Sequence, residues 1–160
     1  TLKRQLPHWN NCKVTTDFFL DKFEYDFRCN QRWIEKLRQH EDELNDYVLK
    51  SFSHIVNVHH IWMHRLLEIP SESHTWDILP IDYWEKLAQE NHLKTIDFLE
   101  KQEINNKVNY YSEEGIAYEK DTIDILYHIL NHSNYHRAQI SRELRTLGIQ
   151  PPAFNFISFH

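Results

Sequence analysis

Glycine and proline are scarce in this chain, with two and five among 160 residues. A fold built from many strands needs more turn formers than that, so an all-β architecture is excluded and helical periodicity becomes the reading to test. Cysteine is scarcer still than in a disulfide-stapled domain: Cys12 and Cys29 are the complete set, and they are expected as free thiols without metal-site spacing. No apolar run of 18 or more residues exists, so no membrane-spanning helix is expected. The first residues, TLKRQLPHWNNC, have no apolar centre of the signal-peptide kind, which makes the cytoplasm the expected location. The formal net charge is −6 and Lys and Arg are scattered among Asp and Glu, so no basic stripe offers itself to phosphates and nucleic acid is not an expected partner. With no linker-like tract, residues 1–160 are expected to form one domain.

What the chain has in quantity is histidine and aromatic residues: twelve His, and 14% Phe, Trp and Tyr. The informative stretch is DTIDILYHILNHSNYHRAQISRELRTL, residues 121–147. It predicts a long amphipathic helix with Asp121 or Thr122 at its N-cap and Gly148 just past its end. Ile125, Ile129, His132, His136, Ile140, Leu144 and Leu147 recur at three or four, which puts two imidazoles in the apolar stripe. At about 100° per residue they lie about 40° apart, while His128 drifts to the edge. Imidazoles at i and i+4 can direct ring nitrogens at one metal ion, roughly 2 Å from each. The plainer alternative has one of them hydrogen-bonded to a buried Tyr or Asn and the other reaching for solvent. The intervening sequence is HSNYH, so the glutamate of the zinc-protease motif is missing.

Upstream, residues 1–15 are expected to be irregular, with Pro7 and an Asn-Asn-Cys turn, and to cover one end of a bundle. A first helix is predicted from Thr16 to His40, with Leu20, Phe23, Phe27, Asn30, Ile34 and Leu37 facing inward and Tyr25 and Trp33 flanking them. Asn30 needs a partner there, either an internal polar site or a backbone group. The second helix is predicted over 42–68, stopping before Pro70. Its inward face is Leu44, Val48, Ser51, Ile55, Val58, Trp62 and Leu66. His54 and His59 flank that face about 140° apart, so one metal can use only one of them, and periodicity does not choose. His60 and His64 are expected on the solvated side. A Pro-bounded loop, 69–80, follows, with Trp76 tucked back onto the bundle. The third helix spans Ile81 to Lys101, with Tyr83, Trp84, Leu87, His92, Ile96 and Leu99 in a looser apolar pattern. Residues 107–119 suit a short hairpin, in which Val108 and Tyr110 pair with Ile116 and Tyr118 across Glu-Glu-Gly. The apolar tail PPAFNFISFH should dock on the bundle.

These elements make an all-α four-helix bundle with a long connection between helices 2 and 3 and a hairpin before helix 4. HILNHSNYHRAQISRELRTLGIQPP at 128–152, SHIVNVHHIWMHRL at 53–66 and, more weakly, EYDFRCNQRWIEKL at 24–37 resemble the DinB/YfiT-like family of four-helix metal-binding proteins. The C-terminal block is the specific part; Ala138 stands where many members have Gly. The resemblance implies a divalent ion held by His54, eight residues before Trp62, together with His132 and His136. Three His ligands leave coordination positions open for water or substrate, and zinc, nickel, iron and manganese all suit such a set. It further implies a metal-dependent transferase or hydrolase that activates a thiol or a water against a small electrophile, with a low-molecular-weight thiol as one candidate substrate. A non-catalytic metal- or ligand-binding stress-response protein is the alternative. No general base is identified: Glu143 lies two turns beyond His136, and Arg137 is expected to point sideways. A homodimer is expected both from the family and from an aromatic surplus that a bundle core cannot absorb.

Overall fold

A computed structural model describes residues 15–159. The expectations for the N-terminal segment, for Cys12 and for Trp9 lie outside the described residues. Four helices account for most of the chain: α1 (Thr16–Arg38), α2 (Asp46–Leu66), α3 (Ile81–Lys101) and α4 (Thr122–Thr146), with strands β1 (Lys107–Tyr111) and β2 (Ala117–Asp121) between the last two. α1 packs on α3, α3 on α2 and α2 on α4, and the seam between α4 and α1 is the loosest of the four between neighbouring helices. Among the described residues no helix is long and apolar enough to cross a membrane.

Local chemistry sets the helix ends. The Thr15 hydroxyl accepts from the Phe18 amide to start α1, and the Asn45 side chain accepts from Val48 to start α2, each satisfying an otherwise orphaned N–H. The Asn45 cap makes α2 begin at Asp46 rather than 42, after a 3-10 turn over Glu41–Glu43. α4 ends in a Schellman turn: Gly148 adopts φ +76°, its amide bonds Arg145 O, and the Ile149 amide bonds Leu144 O at 2.8 Å. Only a residue tolerant of the left-handed region closes that pair without strain. The hairpin forms with Tyr110 opposite Tyr118, but Val108 faces Lys120, and Ile116 lies in the turn, where its carbonyl accepts from the Ser112 amide. The tail docks as expected, with Phe154 against Trp33 and Phe156 edge-on to Tyr25.

Two departures from simple amphipathicity matter. The first is α2, in which every residue from Ser51 to Ile61 is buried. α3 and α4 cover two sides, and the connection 67–80 lies along a third. That connection has no regular structure, and side chains of α2 satisfy its backbone: His54 and Asn57 donate to the carbonyls of Thr75 and Asp77, His64 donates to that of Pro70, and the Ser53 hydroxyl oxygen accepts from the Leu79 amide. His60 and His64, expected in solvent, are each only 8% exposed. Lys94 of α3 donates to the free nitrogen of His64 at 2.9 Å.

The second departure is a charge network between α1 and α4. Arg137, expected to point sideways, is fully buried and ion-pairs with Asp26 at 2.7 Å while its other Nη donates to Asn30 Oδ1 at 2.8 Å. Asn30 in turn donates to Asp26, so of the two expected partners it is an internal polar site, this buried ion pair, that takes it rather than a backbone group. Asp26, Cys29 and Trp33 displace the expected Leu20 and Phe27 from the deepest line of α1. Cys29 is a free, buried thiol. Removing one member of a buried pair strands the other's charge. Arg137→Met is therefore expected to lower unfolding stability by about 3–5 kcal/mol, whereas the double change Asp26→Leu with Arg137→Met recovers most of the loss. Urea denaturation of the two variants checks this, and equal losses would contradict it.

Candidate metal centre

His54 on α2 and His132 and His136 on α4 come together: each offers a ring nitrogen, and the three atoms lie within 4.8 Å of one another. The ring centroids are 4.5 to 4.7 Å apart. His54 Nε2 and His132 Nε2 are separated by 2.9 Å. Two ligands about 2.0–2.1 Å from a shared ion sit about 3 Å apart when they subtend a right angle, so this spacing needs little adjustment.

Each side chain is positioned by a separate cause. His54 is 5% exposed. Its Nδ1–H donates to the Thr75 carbonyl at 2.8 Å, which leaves the Nε2 lone pair directed at the other two rings. This is the backbone device that commonly fixes the tautomer of a ligating imidazole. Trp76 lies flat on the His54 ring, with centroids 3.7 Å apart and planes inclined by 6°. His132 and His136 occupy one flank of α4. The expectation that they sit mid-stripe needs correction, because in those turns the deepest positions are Ser133 and Arg137, and both imidazoles are only part-buried. The network to α1 sets that rotation. Arg137 lies 100° on from His136, and directing it at Asp26 turns the histidines toward α2.

Burial depresses the pKa of His132 to about 3, with the neighbouring His136, His54 and His128 adding in the same direction. Burial also lowers His54 and His136, opposed by the Thr75 carbonyl in the first and by Gln139 in the second. Three neutral imidazoles within reach of one point, one with its tautomer fixed, and a His136 Nδ1 that is buried without a partner make a donor set that fits a divalent cation.

His59 and His128 are engaged elsewhere. His59, the rival candidate on α2, donates from Nε2 to Thr95 Oγ1 at 2.9 Å, the hydroxyl proton going to Asn91 O, and its ring packs on Phe23. His128 packs edge-on against Trp62, one turn before His132. Glu143 accepts from Asn45 at the far end of the bundle, 2.7 Å away, and takes no part in the group. Sequence reasoning missed Thr75 as the partner of His54 and placed Trp76 on the bundle without assigning it to this ring. Both lie in an aperiodic loop, and a backbone acceptor leaves no mark on the sequence.

Fold and site together define a helical bundle carrying a three-histidine group that could hold a metal. Residues 28–160 match the DinB family, and the chain belongs to that family. No curated protein matches it.

Burial of neutral histidine has a sign that can be checked. Each folded pKa lies below the ordinary 6.5, so the unfolded chain binds protons that the folded one does not, and stability rises with pH. The contribution is complete above about pH 6.5 and is lost as pH falls toward the folded values, about 4 for His59 and about 3 for His132. Thermal melts in EDTA at pH 8, 6 and 5 should show a falling midpoint. A midpoint unchanged over that range would mean these imidazoles are not held neutral.

Proposed function

We propose that this chain is a metal-dependent enzyme of the DinB/YfiT type, in which His54, His132 and His136 hold one divalent ion and the remaining coordination positions take a thiol or a water. The observation carrying this reading is the convergence of three neutral ring nitrogens from two helices, one with its tautomer set by Thr75. An ion bound there supplies Lewis acidity that lowers the pKa of a thiol or water joining it, making a nucleophile at neutral pH. The chain's own contribution is orientation. Thr75 holds the His54 proton on Nδ1, Trp76 fixes the ring plane, and the part-exposed edges of His132 and His136 leave the approach open from solvent. The reaction class is transfer of a thiol to a small electrophile, or a hydrolysis, with zinc, nickel, iron or manganese as the ion. The second reading, a non-catalytic metal- or ligand-binding protein, draws support from the group's composition: its members among the described residues are all histidines, with no carboxylate in the group.

Protein produced without a His-tag should retain about one divalent ion per chain by elemental analysis. His132→Ala or His136→Ala should reduce that to near zero after dialysis, and His59→Ala should leave it unchanged. Consumption of a small thiol with a chlorodinitroarene, abolished by chelation and restored by metal, supports the enzyme. Full metal occupancy with no thiol-dependent or hydrolytic turnover supports the binding protein.

A further inference from the structure

The end of α2, the connection that follows it and the turn of the hairpin surround a cavity of about 460 Å³. That volume lies in the range of small-molecule sites. None of the three clustered histidines lines it. α2 presents Ile61, His64 and Arg65 to it, positions that fall within about 100° of arc on one face of the helix. Two hydrogen bonds brace its walls. His64 donates to the Pro70 carbonyl at 2.7 Å, which fixes the start of the connection against α2. The Thr75 hydroxyl donates to Glu113 at 2.6 Å, which ties the connection to the hairpin turn. Ser71 and Ser73 line the cavity between these two ties. The Ser71 hydroxyl oxygen accepts from the Ser73 amide, and its own proton is left to donate.

Arg65 is the one permanent cation in the lining. It is half-buried, and its Cζ lies 4.5 Å from the centre of the Trp62 ring and 4.8 Å from that of Tyr110, so aromatic rings of α2 and β1 hold it in place. Stacking of this kind occupies the faces of a guanidinium and spares its N–H edge. No hydrogen bond or carboxylate among the described residues takes up that edge. Arg28, Arg38 and Arg137, by contrast, each pair with a carboxylate, in a chain of net charge −6. Glu113 is the carboxylate of the cavity wall; it is exposed, committed to Thr75 and outside ion-pairing range of Arg65. A guanidinium held rigid, lining a cavity and lacking a counter-ion is organised for an acid group that arrives with a ligand.

We infer that this cavity binds a small hydroxylated organic anion, its carboxylate or phosphate on the N–H edge of Arg65 and its hydroxyl groups against the serine-bearing wall. A single arginine is enough, because its fork can bond two oxygens of one acid group. The site is separate from the three histidines, so the inference stands or falls apart from the proposed enzymatic activity.

Two matched pairs of probes test it: gluconate against glucitol, and glycerol 3-phosphate against glycerol. Each pair shares a hydroxylated chain and differs in the acid group. The full chain is titrated at constant ionic strength, with binding followed through the arginine Nε–H resonances. In at least one pair the anion should bind about tenfold more tightly than its neutral partner, the scale of a charge-assisted contact, and should shift the Arg65 signal; the pair that responds identifies the acid group. Arg65→Gln should lose the tenfold preference, and Arg65→Lys, which keeps the charge without the fork, should retain only part of it. Ser73→Trp, which fills the cavity from the connection, should abolish binding of the anion. Anions that bind no better than their neutral partners in the parent protein, or a preference that survives Arg65→Gln or Ser73→Trp, would overturn the inference.

Discussion

The second helix is buried on every side from Ser51 to Ile61, and the rest of the structure follows from how its polar side chains are satisfied. A buried hydrogen-bonding group without a partner costs about 1–3 kcal/mol, and α2 carries Ser51, Ser53, His54, Asn57, His59, His60 and His64. The connection 67–80 has the complementary problem, a chain with few backbone partners of its own. Ser53, His54, Asn57 and His64 resolve both together by bonding its main chain. Trp84 ties α3 into the arrangement by donating to Ser53 Oγ. The orientation of His54 is thus part of the fold's polar accounting, set by the same contact that holds the loop down.

α4 is constrained from its other side. His136 and Arg137 are adjacent in sequence and serve opposite walls, one the three-histidine group and the other the ion pair with Asp26. A buried ion pair adds little net stability, because desolvation offsets most of its attraction. Its contribution here is to register: with Arg137 committed to α1, the helix can present His132 and His136 only toward α2. The part-exposure of these two rings is a consequence, and it leaves the centre accessible to a small molecule.

Much of this was legible in the sequence, and the limits have physical causes. The boundaries of α3 and the end of α4 at Gly148 follow from breakers and caps, whereas the grouping of His54 with the HxxxH pair comes from the family resemblance, since periodicity leaves His54 and His59 equally open. Periodicity reads one buried face per helix, and for that reason it put His60 and His64 in water: nothing in α2 alone reveals that an aperiodic loop will cover its third side. The same rule assigned the centre of the α4 stripe to His132 and His136, since Ser133 and Arg137 look like surface residues until Asp26 is found across the core. The pairing of Asp26 with Arg137 joins residues 111 apart in the chain, and no local pattern connects them. Thr75 acts through its carbonyl, which every residue possesses.

The central claim is that two helices and a loop carbonyl prepare three imidazoles for one ion. X-ray absorption of the cobalt(II)-substituted protein addresses it directly by counting ligands at the metal. The account predicts three imidazole nitrogens at about 2.0–2.1 Å, with the remaining coordination filled by exchangeable light-atom ligands, and one imidazole fewer in His54→Ala. A sulfur ligand from cysteine, or an imidazole count unaffected by the loss of His54, would contradict it.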